Sequence, residues 1–216
     1  MKDSDNTFNG KKIGLVGPGI MSIPPSGWGA VEILIWDYYL ELKKKNVDVH
    51  IINKIRSSDK EQRDLNSKYI KELLYEINNG NFDFIHIHYD VLFHISKYIN
   101  CKVGLTSHYP YIDNISKHKS DGFVSIFNDM INNNHLNFVL AEKDKMFLES
   151  YGAKNCHILE NGVSRELFSF CDKPDFLNKT ICLGRVTPRK RQHIYCSLNN
   201  IDIIGPGGEH LPQNWK

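Results

Sequence analysis

No stretch of the sequence approaches eighteen uninterrupted apolar residues, so nothing in it reads as a membrane-spanning helix. The N-terminus, MKDSDNTFNG, is polar and acidic where a secretory leader would be basic and then apolar. No C-x-x-C pair occurs, and the cysteines, Cys101, Cys156, Cys171, Cys182 and Cys196, are odd in number. Both facts argue against a disulfide scaffold and a structural zinc site, and the expectation is a reducing, cytoplasmic compartment. Charge of one sign is missing too: 27 Lys plus Arg against 25 Asp plus Glu leave +2 over 216 residues. No global field therefore argues for nucleic acid or an anionic membrane. Trp28, Trp36 and the Lys43–Lys45 run are too sparse to establish peripheral membrane attachment. Internal repeats are absent, as is low complexity beyond scattered asparagines such as Asn132–Asn134.

What is present is 41% hydrophobic, enough to bury the core of one ordinary domain with a small appendage. KIGLVG, closed by Gly-Pro-Gly, reads as a buried strand entering a loop. The proline- and glycine-rich IMSIPPSGWG forbids a regular element. From Ala30 to Lys45 the positions Val31, Leu34, Ile35, Tyr38, Tyr39 and Leu42 recur at helical spacing. VDVHII is a second strand, and the polar stretch after Ile52 an exposed loop. Ser67 to Asn79 is a second helix through Tyr69, Ile70, Leu73, Leu74 and Ile77, and FDFIHIH a third strand. Lys102–Thr106, Gly122–Phe127 and Leu136–Leu140 are further short apolar runs, and Glu142–Tyr151 is helical by spacing. This alternation predicts an α/β, Rossmann-like, mainly parallel sheet with helices on both faces over 12–163, after a flexible 1–11.

The rhythm breaks over 164–179, the expected linker. Beyond it TICLG reads as a strand, Arg189–Ser197 as a short helix and Ile201–Ile204 as another strand, a second βαβ unit just begun in 180–216. Two strands and one helix leave edges and a face uncovered, so this part is expected to need a missing remainder or a partner.

Several positions could carry chemistry. Gly17 to Gly29 follows the first strand and feeds a helix N-terminus, where free N–H groups and the dipole suit a phosphate. It lacks G-x-G-x-x-G and G-K-[ST], so a dinucleotide or P-loop site is disfavoured, and an anion site stands beside a merely structural loop. Glu32 fits the helix dipole. His86 and His88 alternate with isoleucines and so point the same way; no third ligand stands at a fixed offset, which disfavours a metal. The carboxyl ends of parallel strands carry ligands, which favours His88, Tyr89 and Asp90 as cleft residues over His86. His108 follows KVGLT in another such loop. Asn161-Gly162 is a sharp turn that any fold could use. In ICLGRVTPRKRQ, Arg185, Arg189, Lys190 and Arg191 gather positive charge beside a helix start opened by Pro188, a phosphate site or a solvated charge run.

The run GPGIMSIPPSGWGAVEILIWDYYLELKKKNVDVHII resembles the opening of the retaining glycosyltransferase family 4, with its P-x-x-G-x-G-x-x-E-like loop. SHYP, the ENGV turn, G-R-x-x-x-x-K at Arg185 and Lys190, and IIGPGG continue the likeness from Lys12 to about Leu211. The resemblance implies the N-terminal half of a GT-B fold and the start of a second Rossmann-like half. It implies that Gly27 and Gly29 approach the donor phosphates or the departing sugar, and that His108 faces the transferred sugar. Arg185 and Lys190 would bind the donor diphosphate; the strand-end position of His88, Tyr89 and Asp90 makes them the expected acceptor contacts.

The implied reaction moves a hexose from a nucleoside diphosphate sugar, such as a UDP- or GDP-sugar, to a glycan, glycoconjugate or small-molecule hydroxyl with retention. No cofactor is required and no divalent metal is implied. Departures from the family pattern are Glu160 in place of a proline and a stop before its two donor-binding glutamates. Residues 1–216 are thus expected to be a fragment or a shortened relative, inactive or weak alone. Two other readings remain: a non-catalytic module that binds a glycan or a partner transferase, and, disfavoured, a dinucleotide enzyme.

Overall fold

The computed structural model describes residues 10–27, 29–108, 124–164, 166, 180–184, 186, 190–195 and 198–205. Two compact units divide the chain, Met1–Ser164 and Arg165–Lys216.

In the first unit, six parallel strands lie in one sheet: β1 (Lys12–Val16), β2 (Asp48–Ile52), β3 (Phe84–Ile87), β4 (Lys102–Thr106), β5 (Leu136–Val139) and β6 (Cys156–Ile158), in the order β2-β1-β3-β4-β5-β6. The helices are α1 (Ala30–Lys44), α2 (Lys68–Asn79), α3 (Val124–Ile131) and α4 (Glu142–Ser150). Local chemistry sets their ends. Ser67 caps α2 by accepting from Ile70 N at 3.1 Å, satisfying an amide that the helix itself leaves free. Asn46, Asn81 and Asn155 take positive φ at turns, where asparagine tolerates the left-handed region better than most residues.

Strand alternation sends side chains to two faces. On one, Val16, Ile52, Ile85, Ile87, Val103 and Leu105 pack under α2, α3 and α4. On the other, Ile13, Leu15 and Val49 pack with Ile35 and Val47, under α1. Both faces of the sheet are thus covered by helices, as the sequence pattern predicts. Two elements go beyond expectation. Asp90–Tyr98 forms a nine-residue 3-10 segment that the sequence did not signal, with Leu92, Phe93 and Ile95 wholly buried. The apolar run at Gly122–Phe127, given no element type from sequence, is helical over its described part from Val124, where Ile126 and Met130, four residues apart, are both core residues.

In the second unit β7 (Thr180–Leu183) pairs in parallel with β8 (Ile201–Ile204), with a 3-10 turn at Gln192–Tyr195 between them. The expected helix over Arg189–Ser197 is thus a single short turn within the described residues. Apart from Ser164 and Glu166, the expected linker lies outside the described residues. Among the described residues, no helix is long and apolar enough to cross a membrane.

Candidate functional site

The chain runs from β1 to β2 on one side and then crosses to β3 on the other. Loops leaving β1 and β3 therefore diverge at their carboxyl ends, the place where open parallel sheets take ligands.

The loop after β1 is held from β2. Asn53 accepts from Gly19 N at 2.9 Å and donates to Met21 O at 2.9 Å. Arg56 donates to Pro18 O at 2.9 Å, and its guanidinium lies 5.8 Å from the Tyr89 ring centre. Gly19 takes φ +68, and a Cβ there would run into Lys54 O and the Tyr69 hydroxyl, so the loop requires glycine at this position. At the loop's far end Gly29 is the N-cap of α1, with no side-chain capping bond. The two glycines expected near the donor differ. Gly27 is exposed with open space where a Cβ would stand, whereas Gly29 is buried, its Cα faced by Glu32 and Met21.

On the α1 face of the sheet, β3 and its exit present Phe84, His86 and His88, and β4 and its exit present Gly104, Thr106 and His108. Register places Phe84 beside Lys102 and His86 beside Gly104, and the slant of parallel ladders brings each β3 side chain to the β4 residue twenty positions on. His86 Nε2 meets Thr106 Oγ1 at 2.7 Å, and His88 Nδ1 meets His108 Nε2 at 3.3 Å. The His88 and His108 rings stack, 5.6 Å apart and 11° from parallel, and Tyr38 of α1 lies 5.4 Å from His88. Gly104 leaves room for the Phe84 and Phe138 rings, which flank His86.

Burial determines the charge state. Desolvation lowers His86 to about 3, helped by His108; it lowers His108 to about 4, and it holds His88 well below its ordinary range, with His86 and His108 adding to the effect. All three imidazoles are neutral at pH 7. Neutral rings in a 3.3 Å pair share one proton between them, so one outer nitrogen is a donor and the other an acceptor. Those outer atoms are His88 Nε2 and His108 Nδ1, both buried without a partner. A buried polar atom left unsatisfied costs about 1–3 kcal/mol, which makes this pair an expensive arrangement for packing alone.

The structure therefore brings His88 and His108 together, and adds His86, Thr106 and Tyr38. His88 is 1% exposed and Asp90 5% exposed, so both lie beneath the surface, and Ser107 Oγ donates to Asp90 Oδ2 at 3.2 Å. Tyr89 is half-buried. His88 is no more open than His86, at 7%: the expected preference between them does not appear in burial. Thr106 and Ser107 were not singled out from sequence, because their partners His86 and Asp90 are set by how β4 and its exit lie beside β3. Among the described residues no three His, Cys, Asp or Glu side chains converge as a metal site.

In the second unit Lys190 Nζ lies 2.6 Å from where a Gly184 Cβ would stand, and Gly184 has φ +139. An ammonium thus rests on bare backbone just beyond β7. Gln192, almost wholly buried, donates to Gly184 O at 3.5 Å. Arg191 is exposed, and Arg185, Pro188 and Arg189 lie outside the described residues.

This architecture is Rossmann-like and of the kind that forms the N-terminal half of a GT-B protein. Among solved structures, HepE (Alr3699) of Anabaena in complex with UDP and glucose is similar over 89% of this chain and 60% of its own, with TM-score 0.53 and 12% identity. HepE in complex with UDP-glucose gives 0.52, 13%, 89% and 59% in the same terms. This chain thus spans about three fifths of the length of HepE, and at such identity the likeness establishes the fold. No family model and no curated protein matches the chain.

Proposed function

We propose that this chain is part of a family 4 glycosyltransferase that moves a sugar from a nucleoside diphosphate sugar to an acceptor hydroxyl with retention. The observation that carries the reading is His108 Nδ1, a buried ring nitrogen without a partner, on the loop leaving β4 beside the switch point. The fold likeness to HepE, whose structures hold UDP-glucose, supports the same reading.

The chemical difficulty is charge, because an oxocarbenium-like sugar forms while a diphosphate departs. A neutral imidazole can hydrogen-bond a sugar hydroxyl or present its lone pair to developing positive charge, where an imidazolium would repel it. Its depressed basicity makes it a poor proton acceptor, so His108 is not the general base. His88 backs the ring and fixes which nitrogen faces outward. Gly27 and Gly29 bring backbone toward the departing sugar, and Tyr89, with Asp90 beneath it, lies on the acceptor side. Arg185 and Lys190 meet the diphosphate: the planar guanidinium donates two bonds and the ammonium adds a compact charge. With that charge met by side chains, no divalent metal is needed. The β7–β8 pair, left uncovered by the described residues, and the three-fifths span support a donor half completed by further chain or by a partner.

In the enzyme with its donor half complete, His108→Ala lowers turnover at saturating donor at least about tenfold, roughly 1.4 kcal/mol of transition-state stabilisation, with the fold intact. Equal turnover would return His108 to a packing role. Residues 1–216 alone show little transfer; robust transfer by them to a defined acceptor would contradict the need for a completed donor half.

A further inference from the structure

Glu32 lies one helical turn into α1 and is 4% exposed. Its Oε1 is buried with no hydrogen-bond partner. The side chain folds back on the start of its own helix, with Oε2 2.7 Å from where a Cβ on Gly29 would stand. Gly29 must be small for the carboxylate to occupy this position, and the helix has no side-chain cap there. The amides of Ala30, Val31 and Glu32 point out of the helix end as free donors. One buried group that only accepts and a fan of groups that only donate thus share a helix terminus at the β1 side of the switch point.

A first-turn acid that merely complements the helix dipole sits in water, where desolvation is small. The Oε1 atom of Glu32 instead has lost its water without gaining a protein partner, a state that a buried carboxyl oxygen sustains at a cost. A phosphate would use the amides and be repelled by the carboxylate. A cation would do the reverse. A neutral hydroxyl uses both, donating to the carboxylate and accepting from an amide.

We propose that Glu32, with the N-terminal amides of α1, is a subsite for sugar hydroxyls: the carboxylate accepts from one or two hydroxyls of the bound sugar, and the phosphates of the donor lie elsewhere. This rests on the nucleotide-sugar reading and gives that ligand an orientation, with the sugar toward α1. Glu32 is a binding residue and takes no proton in the reaction.

The test compares UDP-glucose, UDP and free glucose by calorimetry and saturation-transfer NMR, using the protein with its donor half complete and its Glu32→Gln and Glu32→Leu variants, with thermal melts of each. Glu32→Leu is expected to raise the apo Tm, because a buried oxygen without a hydrogen-bond partner is removed. Both variants are expected to weaken UDP-glucose and glucose about tenfold or more while leaving UDP within about twofold, as loss of charge-assisted bonds to hydroxyls requires. A lowered Tm with unchanged sugar affinity would mean a helix-stabilising acid and overturn the proposal, as would equal losses for UDP and UDP-glucose. Wild-type protein that binds glucose through Glu32 but no nucleotide would overturn the nucleotide reading and leave the hydroxyl subsite standing. Binding of neither overturns both.

Discussion

The two units solve the same problem with unequal means. In the first, six strands bury one core beneath α2, α3 and α4 and another beneath α1, and residues such as Leu105 and Ile87 are wholly inaccessible. In the second, the described residues hold two paired strands and one short turn. Ile181 is 56% exposed, Leu183 72% and Ile204 52%, although all three sit in strands. A parallel pair normally has both faces covered, so such residues mark a sheet whose cover is not supplied by the described residues. The difference extends to polar chemistry. The closed unit can hold neutral, partner-starved imidazoles and a buried carboxylate, because its packing supplies the stability that they consume. The second unit offers one exposed cation, Lys190, over the Gly184 backbone, an arrangement that needs no core.

The widest gap expected between the units is in their response to core truncation. Leu105→Ala costs about 2–5 kcal/mol in urea unfolding, whereas Leu183→Ala stays within about 0.5 kcal/mol. Similar costs would mean that β7 is packed as tightly as β4. Within the first unit, Gly19→Ala costs about 1–3 kcal/mol, because it combines positive φ with backbone in the way of Cβ. Gly27→Ala, in open space, costs less than about 0.5 kcal/mol. Thermal melts of the pair check this, and equal shifts would remove the distinction between the two ends of the loop.

Acid sharpens the contrast with a smaller effect. Below about pH 6.5 the unfolded chain protonates its histidines, while native His108 resists to about 4 and native His86 to about 3. The unfolded state then binds more protons, so stability of the first unit is highest above pH 6.5 and falls as pH drops toward 4. His88→Asn flattens that slope by removing one neutral-held ring and loosening its neighbours. An unchanged slope in the variant would mean that these rings titrate freely.

Much of this was legible in the sequence, for identifiable reasons. Strands β1 to β5 and helices α1, α2 and α4 followed from apolar runs and helical spacing that burial later explains. The common orientation of His86 and His88 followed from period-two geometry. Asp90–Tyr98 escaped because Val91, Leu92, Phe93 and Ile95 fit neither period, and a 3-10 segment has no strong one of its own. What Gly27 and Gly29 do differently also escaped, since glycine reports freedom without saying which neighbour uses it. Burial of His88 and Asp90 was hidden because a strand end can close over as readily as it can open. The pairing of His88 with His108 required a register between strands, which no local pattern states.

The proposed role with a nucleoside diphosphate sugar is tested most directly at the basic cluster after β7. Calorimetric titration of UDP, GDP and uridine into the enzyme with a complete donor half, and into its Arg185→Ala, Lys190→Ala and Arg191→Ala variants, separates a phosphate grip from a solvated charge run. A charge-assisted bond is worth about 1.5–3 kcal/mol, so loss of Arg185 or Lys190 should weaken diphosphate binding tenfold or more at moderate salt. Uridine binding should hardly change, and Arg191→Ala should cost little. Indistinguishable losses at positions 185, 190 and 191, fading together as salt rises, would contradict the account.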